Sequence, residues 1–314
     1  MQGLDRDVAR ILEGMRRNNT PLLSSQPIEA ARRTYEKGLR LLDLAPDASV
    51  AVRDEQAGPA GPRIREYTPA QRAPGAGGLL WLHGGGYCVG SIETSDIVCR
   101  MLAARCGCGV YSVGYRLAPE HPFPAAVEDA LHAYRWALAR LSEQAARPAR
   151  LAVAGDSAGG NLATVCALLA RDTGGPAIAF QILVYPVCDC DMETGSYRAF
   201  GSGLVLTEAD MSWFYDHYLQ RDRAKRADPL ISPLRARSLQ GMPPALIMTA
   251  EYDVLRDEAE TYGKRLAAAG VKVAIRRYRG VTHGFLRMQN MLDVARRGMD
   301  DIAAFTTMIL GAAR

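Results

Sequence analysis

Apolar positions along this chain change their spacing twice. In residues 1 to about 45 they recur every three to four residues, placing Leu4, Val8, Ile11, Leu12 and Met15 on one helical face. A second helical segment starts at Ser25-Gln26-Pro27, with the proline inside its first turn. From Ser49 the texture turns to short β-type runs, 49–53 and 63–67, separated by the turn-rich Gly58-Pro59-Ala60-Gly61-Pro62. Continuous apolar runs follow at 78–83, 110–115, 151–155, 178–185, 245–250 and 271–278. Segments of helical periodicity lie between and after them, at 94–105, 125–141, 158–171, 256–269 and 292–310. Strands that are apolar on both faces and alternate with helices predict an α/β fold, a mainly parallel sheet covered on both sides and entered through an antiparallel start. The alternation lapses between Pro186 and Met242. There the aromatic run Trp213-Phe214-Tyr215-Asp216-His217-Tyr218 predicts a helical excursion that packs over the strand ends with the N-terminal helices.

Composition narrows the class. At 314 residues, 48% apolar and 23% charged, the chain has ample material for a core, which excludes wholesale disorder, collagen and coiled coil. Lys and Arg total 38 against 34 Asp and Glu, a formal charge of +4. The densest basic cluster, Arg221, Arg223, Lys225 and Arg226, is interrupted by Asp222 and Asp228, so it reads as a solvated face and no nucleic-acid partner is expected. A transmembrane helix needs about 20 consecutive apolar residues, and the longest uncharged stretch, 73–92, is broken by Pro74 and several glycines, so no membrane partner is expected either. The start, Met1-Gln2-Gly3-Leu4-Asp5-Arg6-Asp7, lacks the basic and apolar regions of a secretory signal, and the expected location is cytoplasmic. The seven cysteines are odd in number, and the pairs Cys106/Cys108 and Cys188/Cys190 are C-x-C and not the C-x-x-C of zinc knuckles. Free buried thiols are expected, with no metal site and no disulfide framework.

The sharpest chemical signal is Gly155-Asp156-Ser157-Ala158-Gly159, a G-x-S-x-G between a predicted strand and a predicted helix. Such a serine sits on a strained turn that admits only small neighbours, and the helix N-terminus favours negative charge developing beside it. Acyl transfer from Ser157 would create an oxyanion that needs pre-aimed N–H donors. His83-Gly84-Gly85-Gly86-Tyr87 follows the predicted strand at 78–83 and offers them; the donors expected are Gly85, Gly86 and Ala158, with Gly84 as the alternative. Of the five histidines only His217 and His283 follow Ser157, as the chain order Ser, Asp or Glu, His requires. His217 lies among the helical aromatics, whereas His283 lies in a loop after the last strand, so His283 is the expected base. His83 reads as a structural ring that fixes the glycine loop, and His121 and His132 as a loop and a helix-face residue. The orienting acid should follow the strand at 245–250; Asp253 is the first choice, with Asp257 and Glu251 as alternatives, Asp257 being otherwise explained by helix capping. Tyr87, Tyr185, Leu204, Val205, Trp213, Phe214 and Phe285 are candidates for an apolar substrate pocket.

These motifs resemble those of the hormone-sensitive-lipase-like, or bacterial family IV, carboxylesterases of the α/β-hydrolase superfamily, in the branch with Gly-Asp-Ser-Ala-Gly. The likeness runs through most of the chain after residue 60: the His83 to Tyr87 loop, Tyr115-Arg116-Leu117-Ala118-Pro119-Glu120-His121-Pro122-Phe123-Pro124, the serine motif, Tyr185-Pro186, Asp228-Pro229-Leu230-Ile231-Ser232-Pro233-Leu234, Asp253-Val254-Leu255-Arg256-Asp257-Glu258 and His283-Gly284-Phe285. It implies an α/β-hydrolase core in residues 46–186 and 227–314, capped by residues 1–45 and an insert at 187–226. It also implies Asp253 as triad acid, a serine esterase without metal or other cofactor, and the pairing through the last strand by which members of this branch often dimerise; the expected cap, roofing the serine, favours short- to medium-chain acyl esters. Val254 stands where the family usually has proline after the acid, a position that shapes only the turn.

Overall fold

The computed structural model describes residues 3–42, 44–73, 77–144 and 148–311. Met1, Gln2 and Asp43 of the expected cap segment lie outside the described residues. Eight strands form one sheet: β1 (Val50–Gln56), β2 (Arg63–Pro69), β3 (Gly78–Leu82), β4 (Gly109–Gly114), β5 (Leu151–Asp156), β6 (Gln181–Val184), β7 (Ala245–Tyr252) and β8 (Val273–Thr282), in the order β1-β2-β4-β3-β5-β6-β7-β8. β2 pairs antiparallel with β1 and β4, and every pairing from β4 to β8 is parallel. The helices are α1 (Arg6–Arg17), α2 (Ile28–Arg40), α3 (Ile92–Cys106), α4 (Ala125–Gln144), α5 (Ala158–Asp172), α6 (Gly195–Phe200), α7 (Glu208–Tyr218), α8 (Arg256–Ala268) and α9 (Asp293–Gly311).

The central strands are buried along their whole length because both faces are covered. Side chains alternate across β3: Leu80 and Leu82 join the core under α4, α5 and α8, while Leu79 and Trp81 join the core under α3 and α9. All seven cysteines are buried within these layers. In a parallel sheet the loops at the carboxyl ends of the strands gather on one side, so the loops after β3, β5, β7 and β8 converge there.

Two boundaries differ from the sequence reading. Pro27 is the N-cap of α2 and not a residue of its first turn. β8 begins at Val273 and runs on to Thr282, four residues past the apolar run. Its extension carries Arg279 and Gly280, whose polarity hides the strand, and it is held partly from the side: the Glu251 carboxylate accepts the Gly280 N–H at 2.8 Å. Among the described residues no strand interrupts the 187–242 stretch, which contributes α6 and α7. A reciprocal capping box between Thr207 and Asp210 starts α7. Asp210 also accepts the Ser24 N–H at 3.0 Å, tying the N-terminal segment to the excursion. Arg32 of α2 makes the second tie, donating to the Cys88 carbonyl at 2.9 Å, the Ala118 carbonyl at 3.1 Å and the Glu120 carboxylate at 2.7–2.8 Å.

Glycine substitutions test the tightness of this packing in both directions. A Cβ on Gly159 would stand 2.0 Å from the Leu82 carbonyl oxygen and 2.6 Å from that of His83, whereas one on Gly14 of α1 meets nothing within 4 Å. Gly159→Ala is expected to destabilise by at least about 2–3 kcal/mol, and Gly14→Ala to stabilise by about 0.5–1 kcal/mol through helix propensity. Denaturant titration of both variants checks the opposite signs; a neutral Gly159→Ala would show that the β3–α5 contact yields.

Candidate active site

Ser157 links β5 to α5 with φ 57° and ψ −121°, a backbone region that L side chains seldom occupy. Its N–H donates to the Val184 carbonyl at 2.9 Å, and its carbonyl accepts the first helical N–H, that of Asn161, at 3.1 Å. Tyr87 (φ 64°) and Tyr185 (φ 36°) are strained in the same way, so three of the six non-glycine residues of positive φ among the described residues surround one point.

Two loops from other strands reach that point. Asp253 follows β7, fully buried, and its Oδ1 accepts the Leu255 N–H at 3.0 Å, which fixes the carboxylate plane. Its Oδ2 lies 2.8 Å from His283 Nδ1. A carboxylate only accepts, so Nδ1 carries the proton and the neutral ring presents Nε2 as acceptor; Ser157 Oγ sits 2.9 Å from it. The alternatives for the acid are engaged elsewhere: Asp257 accepts the Ser196 N–H at 2.8 Å, and Glu251 accepts the Gly280 N–H at 2.8 Å. His217 packs edge-on to Trp213 at 4.6 Å on α7, and burial lowers its pKa. His132 Nε2 is 2.6 Å from the Ala57 carbonyl, and His121 is exposed in a loop.

The glycine loop after β3 passes over the serine turn. The N–H groups of Gly85, Gly86 and Ala158 have no protein partner among the described residues. Gly84, the alternative donor, is unavailable, because its N–H donates to Asp156 Oδ1 at 2.9 Å. His83 turns inward: Nδ1–H donates to the Gly84 carbonyl at 2.8 Å and the ring stacks on Tyr115 at 4.2 Å, while the Tyr115 hydroxyl donates to the His83 carbonyl at 2.7 Å. The loop is therefore held at His83 and Gly84 and leaves the N–H groups of Gly85 and Gly86 free.

A family model described as the alpha/beta hydrolase fold matches residues 79–287, a span that contains the serine turn, the glycine loop and the acid and histidine loops. The chain belongs to the α/β hydrolase family. Its relatives place it in the hormone-sensitive-lipase-like group of carboxylic ester hydrolases. It is 46% identical over 240 residues to the carboxylic ester hydrolase LipN of Mycobacterium tuberculosis, a match covering 74% of this chain and 63% of that protein. It is 39% identical over 281 residues to the ethyl acetate hydrolase of Pseudomonas putida, covering 86% of this chain and 87% of that one. Among solved structures, the hyperthermophilic esterase of the archaeon Pyrobaculum calidifontis superposes with a TM-score of 0.90 at 37% identity, over 98% of this chain and 100% of that one.

In this hydrolase a cavity of about 150 Å³ opens on Ser157 and His283. Of the expected pocket residues, Tyr185, Val205 and Phe214 line it. Tyr87, Leu204, Trp213 and Phe285 do not. Tyr87 is buried in a stack on Tyr218 at 3.9 Å, Phe285 packs between Tyr185 and Tyr278, Trp213 lies edge-on to Phe214, and Leu204 is buried outside the cavity. The remaining apolar wall comes from Leu206, Met288 and the N-terminal segment, through Leu23, Tyr35, Leu39 and Leu42. Tyr35, Leu39 and Leu42 follow each other at helical spacing, a signal that was present in the sequence without a direction attached to it. Deeper in, burial pushes the carboxyl of Glu258 well above its ordinary range while it accepts the N–H groups of Cys188 and Asp189 at 2.7 and 3.2 Å.

His83 gives the hydrolase an acid-sensitive loop. Burial lowers its pKa from 6.5 to about 4. Between those values the unfolded chain binds a proton that the folded ring refuses, so this contribution to stability is fully present above about pH 6.5 and is lost as the pH falls toward 4. The loss reaches on the order of 3 kcal/mol at 1.36 kcal/mol per unit. Unfolding free energies measured from pH 7 to 4 should therefore fall more steeply for the wild type than for His83→Gln, by close to one proton; equal slopes would show that His83 does not refuse the proton.

Proposed function

We propose that this carboxylic ester hydrolase works through an acyl-enzyme on Ser157, with His283 as general base and acid and Asp253 orienting the imidazole, and that it prefers short- to medium-chain acyl groups. The observation that carries the reading is the unbroken chain of contacts Asp253–His283–Ser157 at 2.8 and 2.9 Å. His283 Nε2 takes the Ser157 proton as Oγ attacks the ester carbonyl carbon. The carbonyl oxygen, now an oxyanion, accepts from the N–H groups of Gly85, Gly86 and Ala158, at the positive end of α5. The imidazolium, held opposite the Asp253 carboxylate, then gives its proton to the departing alkoxide. Water enters, loses a proton to His283, attacks the acyl carbon and releases the carboxylic acid as Oγ recovers its proton. Three side chains and three N–H groups account for every proton and charge in this cycle, so it needs no metal or other cofactor.

Chain-length preference follows from the roof over the serine, where Leu23, Leu39 and Leu42 of the N-terminal segment meet Val205, Leu206 and Phe214 of the excursion. These two segments form the cap of the proposal. Each methylene of an acyl chain gains about 0.8 kcal/mol only while it covers apolar wall. In a cavity of about 150 Å³ that wall ends early, and further carbons must displace cap side chains. The free edge of β8 also offers its backbone groups to a second copy across a two-fold axis, so a homodimer belongs to the same proposal and is read by sedimentation velocity.

Ser157→Ala and His283→Ala should each reduce kcat by at least about ten-thousandfold with the fold intact, and Asp253→Asn by about a thousandfold or more through the wrong imidazole tautomer. Near-wild-type turnover in Asp253→Asn beside an inactive Asp257→Asn would overturn the acid assignment. On a series of p-nitrophenyl esters kcat/KM should peak at acyl chains of roughly two to eight carbons and then decline. A maximum at palmitate, or activation at a lipid–water interface, would identify a lipase instead.

A further inference from the structure

Beside the triad, lining the same cavity, is a buried ion pair that the acyl-transfer steps do not use. Asp156 immediately precedes Ser157, and Arg287 follows His283 by four residues in a short 3-10 turn (Phe285–Arg287). Arg287 Nη2 donates to both carboxylate oxygens of Asp156 at 3.1 Å, and Nε donates to Oδ2 at 3.2 Å. Their side chains are only 7% and 4% exposed. The rest of the guanidinium is engaged at the start of α3, where Nη2 donates to Ser95 Oγ at 3.3 Å and Nη1 to the Thr94 carbonyl. Asp156 Oδ1 in turn accepts the Gly84 N–H at 2.9 Å, and the contact is close: a Cβ on Gly84 would stand 2.7 Å from Asp156 Oδ2. One pair of side chains thus joins the nucleophile turn, the histidine loop, the glycine loop and α3.

Stability alone does not account for this pair. Desolvating two charges costs about as much as their attraction returns, and well-packed apolar residues often serve a fold equally well. What a guanidinium fork adds is direction, because several N–H groups in one rigid plane fix the distance and angle of each partner. Acyl transfer depends on such distances, since a misplacement of about 1 Å can cost on the order of a hundredfold in rate.

We propose that Arg287 is a positioning residue: through Asp156 it holds Gly84, and with it the N–H donors of Gly85 and Gly86, in register with Ser157 and His283. The proposal rests on the serine-esterase reading above. Oxyanion donors act on the tetrahedral state more than on bound ester, whose affinity comes from the apolar wall, so loss of the strut should appear in kcat and not in KM.

The test compares Arg287→Met, Arg287→Lys and the wild type with p-nitrophenyl butyrate and with a p-nitrophenyl phosphonate ester that labels the active serine. Arg287→Met should lower kcat about ten- to a hundredfold with KM within about threefold, and should slow phosphonylation in parallel, because the tetrahedral phosphonyl oxygen uses the same donors. Arg287→Lys, which retains the charge without the fork, should recover part of both rates. Arg150→Met serves as a stability control: Arg150 donates to the Ile309 carbonyl at 2.8 Å next to the N-terminal end of β5, away from the site, and its loss should leave kcat unchanged. A folded Arg287→Met with wild-type kcat and phosphonylation rate overturns the proposal, as does an equal loss of kcat in Arg150→Met. If Arg287→Met does not fold, Arg287→Lys decides alone, and wild-type rates in it overturn the proposal. A wild-type enzyme that hydrolyses the ester while Ser157 stays unlabelled would instead overturn the serine reading itself.

Discussion

Where β5 turns into α5, three stretches of backbone meet with no space for a side chain between them. A Cβ on Gly155 would lie 2.4 Å from the Gly159 backbone, one on Gly159 would lie 2.0 Å from the Leu82 carbonyl oxygen, and one on Gly160 would lie 2.8 Å from Pro186. This contact lets the strand reverse into a helix within one residue and leaves that residue, Ser157, at a φ of 57°. Such a backbone costs on the order of 1–3 kcal/mol, so it persists only because its surroundings over-determine it. The Ser157 N–H bonds to Val184 at 2.9 Å, and the Asn161 side-chain amide bonds to the Val187 and Ile231 carbonyls at 3.1 and 2.8 Å. Ser157, the proposed nucleophile, is thus raised out of the sheet by packing that has nothing to do with its own side chain.

That constraint is also why the centre of the molecule could be read from the chain. Glycines at 155, 159 and 160 flank one serine, and glycines at 84, 85 and 86 follow the neighbouring strand; each group marks a place where backbone must approach backbone. The strands between them are buried on both faces and so appear as unbroken apolar runs. Legibility failed where the partner of a side chain is set by distant chain. Tyr87 and Leu39 are both apolar-bodied residues near a motif or on a helix face, yet Tyr87 stacks in the interior and Leu39 faces the cavity. The last four residues of β8 were hidden because an edge strand carries polar residues whose partners, such as Glu251 for Gly280, lie on another element. Nothing in Phe285-Leu286-Arg287-Met288 singles out Arg287, and only the fold buries it.

The buried charges follow a common logic. Asp156, Asp253 and Glu258 are among the carboxyl groups nearly inaccessible to water, and isolated carboxylates in such surroundings would be very costly. Each is handled differently. Asp253 faces His283 at 2.8 Å, and Asp156 faces Arg287. Among the described residues no cation pairs with Glu258; burial, with Asp189 and Asp253 adding repulsion, pushes its carboxyl upward, and it accepts two backbone N–H groups.

This distribution bears directly on the oxyanion of the proposed acyl transfer. A negative charge developing near unpaired carboxylates in a low-dielectric interior would be opposed by them at several ångströms. Pairing Asp156 with a guanidinium removes one of those sources, and the burial that pushes the Glu258 carboxyl upward weakens another. In the proposed cycle the Asp253 carboxylate faces the imidazole at 2.8 Å, where positive charge accumulates in the same step. In the proposed mechanism Gly85, Gly86 and Ala158 then act on the oxyanion with little opposing field, which is the condition under which preoriented N–H dipoles are worth most. The arrangement also explains why Gly84 has a different task from its two neighbours. Its N–H neutralises part of Asp156, and that bond anchors the loop from which the other two donors project.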